Sequence, residues 1–271
     1  MERHADLLLG RTTPVVNTYT PELLFPIERS NARRELGYAQ KTPFYGVDVW
    51  HAYEVSWLDS TGKPQCAVAR FEIPAHSPNL VESKSFKLYL NSLNSHKFTS
   101  EEDAINCIVE DISAVAGSPV KLTLFEVDDP RLTGAILSGN CLDSLGVTIG
   151  DMPPTSELLE AGEQVVEEML YSHLLRSLCP VTGQPDWATV WIHYKGRAIT
   201  RDSVLRYIIS YRQHQEFHEQ CVERIFRDIL HSCAPEFLHV QAFYTRRGGL
   251  DISPFRSTSS QALPQARLNR Q

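Results

Sequence analysis

Apolar and polar residues follow the same order twice along this chain. Each time, two segments that alternate between apolar and polar positions flank a turn-forming sequence, two amphipathic stretches follow, and a further alternating segment closes the series. Alternation with a period of two is typical of half-buried strands, and apolar residues every three or four positions are typical of helices. The pattern therefore predicts the order strand, strand, helix, helix, strand in each half. The predicted strands span residues 51–58, 65–73 and 120–125 in the first half and 172–179, 187–194 and 238–243 in the second.

The amphipathic stretches carry helix signals at their ends as well as along one face. In the first half, the hydroxyl of Ser100 is expected to cap a helix that ends at Gly117, before Pro119. In the second half, the last helix is expected to end before Pro235. The four predicted apolar stripes are Phe86, Leu90 and Leu93; Ile105, Ile108, Val109 and Ile112; Val204, Ile208 and Tyr211; and Val222, Ile225, Phe226, Ile229 and Leu230.

The two halves also share residues at matching positions. Residues 56–67 align without a gap on residues 177–188, with a serine, a glycine, a proline and an alanine in common. Such self-similarity in a fixed order indicates an internal duplication. Further along, the matches include Tyr89 with Tyr207 and Asp111 with Asp228.

The element order and the duplication together define the expected architecture. We predict an α+β protein of two tandem domains, residues 1–150 and 151–271, each with an antiparallel sheet and helices packed on one face. Residues 128–160 are expected to form closing strands and a linker. The polar tail after Pro254 is expected to end in poorly packed residues.

Composition and charge exclude several classes of protein. Hydrophobic residues make up 42% of the 271 positions and charged residues 22%, which suits one large core or two smaller ones. A net charge of −7 and a pI near 5.8 argue against a large nucleic-acid-binding surface. No apolar run approaches the roughly 18 residues that span a bilayer, and residues 1–6 do not begin a secretory leader. The six cysteines form no C-x-x-C pair. A soluble cytoplasmic protein with reduced thiols is therefore expected.

One candidate for chemistry is the turn between the two strands of the second half. Cys179 and Asp186 stand on opposite sides of this turn, and the first half has Leu58 and Gln65 at the corresponding positions. A thiolate is a strong nucleophile near neutral pH, and a neighbouring acid can protonate the atom that gains charge. A small buried cysteine and a turn-capping aspartate remain the alternative interpretation.

A second candidate lies at the start of the last helix. Glu219 could accept two N–H donors from a guanine-like edge, with His218 beside it to move protons. Alternatively, the acid complements the helix dipole and the histidine packs in the core. Cys179, His218 and Cys221 could also form a zinc site.

Two further segments could bind phosphate. Residues 81–85, Val-Glu-Ser-Lys-Ser, combine a lysine, two hydroxyls and the free N–H groups of a helix start, although a simple N-cap explains the serines equally well. Residues 246–249, Arg-Arg-Gly-Gly, pair two guanidinium groups with backbone that a ligand can approach, or else form a solvated loop. There is neither a G-x-G-x-x-G nor a P-loop motif.

Taken together, four segments resemble the long, two-domain type of the NADPH-dependent 7-cyano-7-deazaguanine reductases. The resemblance covers nearly the whole chain and implies a tunnelling fold (T-fold), a homodimer and the cofactor NADPH. It also implies reduction of the nitrile of 7-cyano-7-deazaguanine to an amine on the route to queuosine in transfer RNA, without direct contact to RNA. The segments are Glu82-Ser-Lys-Ser-Phe-Lys-Leu-Tyr, Cys179-Pro-Val-Thr-Gly-Gln-Pro-Asp, Phe217-His-Glu-Gln-Cys and Arg246-Arg-Gly-Gly-Leu.

The resemblance also assigns roles to individual residues. It implies that Cys179 attacks the nitrile carbon to form a covalent thioimide, that Asp186 protonates the nitrile nitrogen and that His218 is a second proton source. It implies no metal ligand. The implied substrate contacts are Val81, Glu82, Ser83, His218 and Glu219, and the implied cofactor contacts are Ser83, Lys84, Arg247 and Gly248.

Two other functions stay open at this point. One is a zinc-dependent purine or pterin hydrolase on the same fold. The other is a domain that binds a ligand without catalysis. Metal analysis separates the hydrolase from the reductase, and a nitrile adduct on Cys179 excludes the binding domain.

Overall fold

A computed structural model describes residues 16–38 and 41–271. Residues 1–6, from which the absence of a leader is predicted, lie outside these ranges. The strands are β1 (Pro26–Glu28), β2 (Tyr45–Leu58), β3 (Pro64–Pro74), β4 (Asn79–Val81), β5 (Lys121–Phe125), β6 (Asn140–Cys141), β7 (Ala161–Leu178), β8 (Pro185–Ile199), β9 (Phe237–Tyr244) and β10 (Leu250–Ser257). The α-helices are α1 (Arg29–Glu35), α2 (Ser83–Ser92), α3 (Glu101–Ala116), α4 (Arg201–Ser210) and α5 (His218–Cys233).

The described residues form two compact units, and each unit contains a short segment from the other end of the chain. The first unit comprises residues 16–31, 48–132 and 246–251. The second comprises residues 32–47, 133–245 and 252–271, with residues 39 and 40 outside the description. The division into domains 1–150 and 151–271 stays a prediction.

In the first unit, β5, β3 and β2 lie side by side in that order, and β3 and β5 are antiparallel. Trp50, Phe71 and Phe86 pack together beneath this sheet, with ring centroids 5.0 and 5.3 Å from Phe86. All three side chains are buried. Aromatic contacts at such distances add to the stabilisation that burial of apolar surface provides.

The helix boundaries in this unit follow the capping rules. The Ser100 hydroxyl accepts a hydrogen bond from the backbone N–H of Asp103 at the start of α3. Gly117 ends α3 with φ of 69°, and a Cβ at this position would lie 2.5 Å from Pro78 Cγ. Both predicted ends of this helix are therefore confirmed.

The segment of residues 246–251 completes the first unit from the far end of the chain. Asp251 is buried, with one carboxylate oxygen 3.0 Å from His51 Nδ1 and the other accepting a 2.5 Å hydrogen bond from Tyr53. The Tyr53 N–H also donates to the Gly249 carbonyl over 2.9 Å. These bonds satisfy polar groups that would otherwise be buried without partners.

In the second unit, β10, β9, β8, β7 and β6 are neighbours in that order. All pairs are antiparallel except β6 with β7, which is parallel. Along β8 the buried residues Ala188, Val190, Ile192 and Tyr194 alternate as one face of a strand should. Helix α5 packs on β9 and α4 on β7.

A cluster of large apolar side chains is buried in the second unit and includes a residue of the tail. Trp191, Phe243, Phe255 and Leu268 form a buried cluster. The expectation that the tail after Pro254 ends in poorly packed residues is therefore wrong for Leu268 and Gln271, although Asn269 and Arg270 between them are exposed. Leu268 contributes to the cluster, and Gln271 donates a 2.7 Å hydrogen bond to the buried Ser253 hydroxyl.

The α+β class, with mainly antiparallel sheets and packed helices, is confirmed. The predicted order of two strands, two helices and a further strand is found in the second unit, and in the first unit with β4 as an additional strand before α2. The two-residue β6 is the strand formed between residues 128 and 160. None of the helices in the described ranges is long and apolar enough to cross a membrane.

Candidate active site

The hairpin between β7 and β8 positions the two reactive candidates of the second unit. The Cys179 N–H donates to the Gln184 carbonyl over 2.8 Å, and the Gly183 N–H donates back to the Cys179 carbonyl over 2.9 Å. Gly183 has φ of 68°, a conformation that favours glycine. Asp186 stands opposite Ser177 in the strand register. Both candidates are buried, with 5% of Cys179 and 4% of Asp186 exposed.

The structure brings a third candidate to this hairpin. His218 Nε2 lies 3.2 Å from Asp186 Oδ2, and His218 is the first residue of α5. Its imidazole stacks on the Tyr244 ring, with centroids 3.8 Å apart and planes 19° from parallel. This contact and the carboxylate fix the orientation of the imidazole. The pair can hold and transfer a proton.

The two acidic residues near the start of α5 have different surroundings. Glu216 lies 3.0 Å from His214 Nε2 and accepts a 3.0 Å hydrogen bond from Arg224 Nε. Burial acts to raise the pKa of Glu216, but the hydrogen bonds from His214 and Arg224 outweigh it and hold that pKa below its ordinary value. Glu219, buried in the first turn of α5, stays the candidate for a guanine-like edge.

Cys221 lacks the properties of a nucleophile. It is fully buried on α5, and burial followed by the negative charge of Glu216 raises the pKa of its thiol well above the ordinary value. The thiol therefore stays protonated at neutral pH. Among the described residues, the ligand atoms of Cys179, His218 and Cys221 do not come close enough together to hold a metal ion. The zinc site considered from the sequence is not formed there.

In the first unit, Glu82 caps α2 directly. Its carboxylate accepts hydrogen bonds from the N–H groups of Lys84, at 2.9 Å, and Ser85, at 2.7 Å. The expectation that free N–H groups at this helix start could receive a phosphate is therefore wrong for these two groups. The alternative of a serine cap is also wrong, because the cap is the acidic residue. Val81 and Glu82 are buried, whereas Ser83 and Lys84 are partly exposed.

The glycine turn of residues 246–249 lies beside α2 within the same unit. Gly248 and Gly249 have φ of 59° and 82°. A Cβ at Gly248 would lie 3.0 Å from Lys87 Cδ and 3.2 Å from its Nζ. The Arg246 guanidinium stacks 4.0 Å above the Tyr53 ring, and Arg247 is exposed.

Basic residues of the glycine turn therefore lie close to basic residues of α2. Lys84 and Lys87 are three residues apart on α2, which places them on neighbouring positions of one helix face. Lys87 was not among the residues predicted from the sequence, although this spacing could have indicated it. A group of cations beside a glycine turn suits the phosphates of a dinucleotide such as NADPH.

An enzyme with a cysteine nucleophile requires a thiol, an acid and a base. The second unit provides these groups in Cys179, Asp186 and His218. Comparison with known families gives two matches, to the N-terminal domain of nitrile reductase, 7-cyano-7-deazaguanine-reductase, over residues 15–124 and to a QueF-like protein over residues 185–262. Among solved structures, the apo form of archaeosine synthase QueF-Like matches with a TM-score of 0.31 and 17% identity, covering 39% of this chain and 100% of that one.

Curated relatives match over almost the full length. The NADPH-dependent 7-cyano-7-deazaguanine reductase of Chromohalobacter salexigens is 52% identical over 97% of this chain and 96% of its own. The proteins of the same name from Hydrogenovibrio crunogenus and Desulfotalea psychrophila are 50% and 49% identical, covering 97% and 99% of this chain and 96% and 98% of their own. The chain belongs to the family of NADPH-dependent 7-cyano-7-deazaguanine reductases.

Proposed function

We propose that this protein reduces the nitrile of 7-cyano-7-deazaguanine to a primary amine with two molecules of NADPH. The observation that carries the proposal is 52% identity over 97% of the chain to a reductase of that name. The hairpin of Cys179 and Asp186, with His218 at 3.2 Å from the acid, supports the proposal chemically.

The nucleophile in this proposal is Cys179. Its sulfur forms a bond to the nitrile carbon while one π bond of the nitrile breaks, and the nitrogen takes up a proton. The product is a thioimide, in which the carbon is more electrophilic than in the nitrile. The buried position of Cys179 keeps bulk water away from this intermediate.

Asp186 and His218 handle the protons. Asp186 donates a proton to the nitrile nitrogen during attack, and the 3.2 Å contact to His218 gives the acid a partner from which to regain it. The stacked Tyr244 ring holds the imidazole in place for a second protonation when the amine forms. Departure of the Cys179 sulfur after the first reduction breaks the C–S bond and regenerates the nucleophile.

Substrate and cofactor contacts follow the same assignment. Glu219 accepts hydrogen bonds from the guanine-like edge, and the other substrate contacts are Val81, Glu82, Ser83 and His218. Ser83, Lys84, Arg247 and Gly248 bind NADPH, which supplies hydride when bound. The positive charges of Lys84 and Arg247 suit the additional phosphate that distinguishes NADPH from NADH.

The proposal extends to the biological setting. The product serves queuosine formation in transfer RNA before the base is inserted, so the enzyme itself needs no contact with nucleic acid. We propose that it acts in the cytoplasm as a homodimer. A single species of twice the chain mass in solution would support the dimer.

The test is NADPH consumption after addition of 7-cyano-7-deazaguanine in the presence of a metal chelator. Wild-type protein is expected to oxidise two NADPH per nitrile, and Cys179→Ala none. Without NADPH, the intact mass of wild-type protein should increase by the full mass of the nitrile, because addition expels no leaving group. Asp186→Asn should slow this addition by about 10²-fold or more, since it removes the proton donor.

Cys66→Ala is the matched control, because Cys66 is an exposed cysteine in the first unit. It should retain both the adduct and the turnover. An active Cys179→Ala protein would refute the nucleophile. Hydrolysis of a purine or pterin without NADPH consumption, lost together with stoichiometric zinc on chelation, would favour a zinc-dependent hydrolase instead.

A further inference from the structure

A second cluster of metal-binding side chains lies in the second unit, apart from the residues assigned above. Cys141, Asp143 and His173 place one sulfur, one carboxylate oxygen and one imidazole nitrogen within 4.8 Å of one another. Among the described residues, no other group of histidine, cysteine and acidic side chains meets this condition. Cys141 and His173 are exposed and Asp143 is partly exposed, so an ion from solvent can reach all three.

The backbone fixes the position of Cys141. Cys141 pairs with Tyr171 in the parallel contact of β6 and β7, and the Leu142 N–H donates to the Tyr171 carbonyl over 2.9 Å. Gly139, just before β6, has φ of 116°, and a Cβ there would lie 2.4 Å from the Met169 carbonyl oxygen. The approach of this segment to β7 therefore requires a glycine.

Hydrogen bonds also fix the other two candidate ligands. Asp143 accepts a 2.6 Å hydrogen bond from the Ser172 hydroxyl and a 3.1 Å bond from the His173 N–H. The His173 Nδ1 atom lies 2.8 Å from the Thr189 hydroxyl. Partners of this kind orient metal ligands and are a regular part of metal centres in proteins.

We propose that Cys141, Asp143 and His173 bind a zinc ion. Thiolate and imidazole are ligands that zinc prefers, and carboxylate oxygen is common in its sites. Three protein ligands leave one tetrahedral position for water. On binding, the Cys141 thiol loses its proton to solvent as the sulfur–zinc bond forms, so metal uptake releases acid.

A cavity of about 390 Å³ lies on one side of His173. His173, Tyr171, Thr189 and Arg270 contribute to its lining, together with apolar side chains that include Leu137. Of the three proposed ligands only His173 contributes to this cavity, and Arg270 Nη1 donates a 2.7 Å hydrogen bond to the His173 carbonyl. The site is expected to bind zinc with water in the fourth position.

Cobalt substitution tests the proposal with a readout that does not depend on activity. Untagged, chelator-treated full-length protein is titrated with Co²⁺ and followed by absorption. One equivalent should bind with a thiolate-to-cobalt charge-transfer band and the visible bands of tetrahedral cobalt, and Zn²⁺ should abolish both. Cys141→Ser should lose the charge-transfer band, and Ser172→Ala should weaken cobalt binding about tenfold by removing a hydrogen bond to Asp143.

Two other cysteine variants serve as controls. Cys66→Ser tests an exposed thiol elsewhere, and Cys179→Ser tests the proposed nucleophile; both should keep the band. The absence of a band in wild-type protein, its persistence in Cys141→Ser, or its loss in Cys179→Ser would each overturn the proposal. Circular dichroism of each variant separates loss of metal binding from loss of folding.

Discussion

The Tyr207 hydroxyl donates a 2.6 Å hydrogen bond to Asp228, and both residues are fully buried. In the first unit the Tyr89 hydroxyl donates a bond of the same length to Asp111. The internal alignment of the sequence matches Tyr89 with Tyr207 and Asp111 with Asp228. The agreement supports the interpretation that the two units arose by duplication, since the bond joins the first long helix to the second in both.

Replacement of Tyr207 by phenylalanine should destabilise the protein by about 1–3 kcal/mol, because a buried carboxylate loses a donor. Burial raises the pKa of Asp228 even though the bond from Tyr207 and the charges of Arg227 and Arg224 act to lower it, so loss of the Tyr207 donor adds to a carboxylate that is already incompletely compensated. Urea denaturation measures the change. Tyr45→Phe is the matched control, since Tyr45 is 57% exposed, and it should change stability little. Equal effects of the two variants would contradict the structural role of the bond.

Removal of basic side chains near the glycine turn should act on cofactor binding. Lys84→Gln and Arg247→Gln are each expected to raise KM for NADPH about tenfold, because a charge-assisted contact to phosphate is lost. The rate at saturating NADPH and the KM for NADH should change much less. Steady-state kinetics with both cofactors checks this. Lys121→Gln, on the exposed side of β5, should leave every constant unchanged. A similar loss with both cofactors would argue against recognition of the additional phosphate.

The ion pairs of Glu216 should make stability depend on pH. The pKa of Glu216 in the folded protein lies below its ordinary value of 4.5, so its contribution is complete above that pH and disappears as the pH falls through the folded-state pKa. Glu216→Gln should therefore cost about 2 kcal/mol at pH 7, and the difference from wild type should shrink in acid. Denaturation curves at several pH values measure this. Glu163→Gln, at an exposed position of β7, provides the comparison. A difference that persists unchanged in acid would be inconsistent with this assignment.

The packing of the C-terminal tail can be tested with two leucines of the same segment. Leu268 is 6% exposed in the cluster with Trp191 and Phe255, whereas Leu263 is 80% exposed. Leu268→Ala should destabilise the protein by about 2–5 kcal/mol through lost burial and a new cavity, and Leu263→Ala should have little effect. Thermal and urea denaturation report the difference. Comparable melting of both variants would mean that the tail does not stabilise the sheet.

The sequence predicted those parts of the fold that depend on neighbouring residues. The hairpins, the helices and the Ser100 and Gly117 caps follow from periodicity and turn chemistry within short windows. The first part of β7 was not predicted from the sequence, because residues 162–165 are all exposed and the register shifts between Ala161 and Val165. This irregularity interrupts the alternation on which strand prediction relies. The burial of Leu268 depends on distant residues and leaves no local signal.

Part of the candidate site was also predicted from the sequence. The roles of Cys179, Asp186 and His218 stay predictions, but the contact of Asp186 with His218 places two of them together as their chemistry requires. The stacking of Tyr244 on His218 was not predicted, because β9 and α5 meet only in the folded chain. The capping role of Glu82 was missed because serine is the more familiar capping residue.

The first unit includes residues 246–251, which are far from its other residues in the chain, and this has a consequence for synthesis on the ribosome. His51 and Tyr53 are made 200 and 198 residues before their partner Asp251. Until Asp251 has been made and has left the ribosome, both side chains lack this buried partner. Closing contacts over so many residues is slow compared with forming local hairpins and helices. The buried contacts of His51 and Tyr53 with Asp251 therefore form after the hairpins and helices around them, so translation order and folding order do not coincide in this unit.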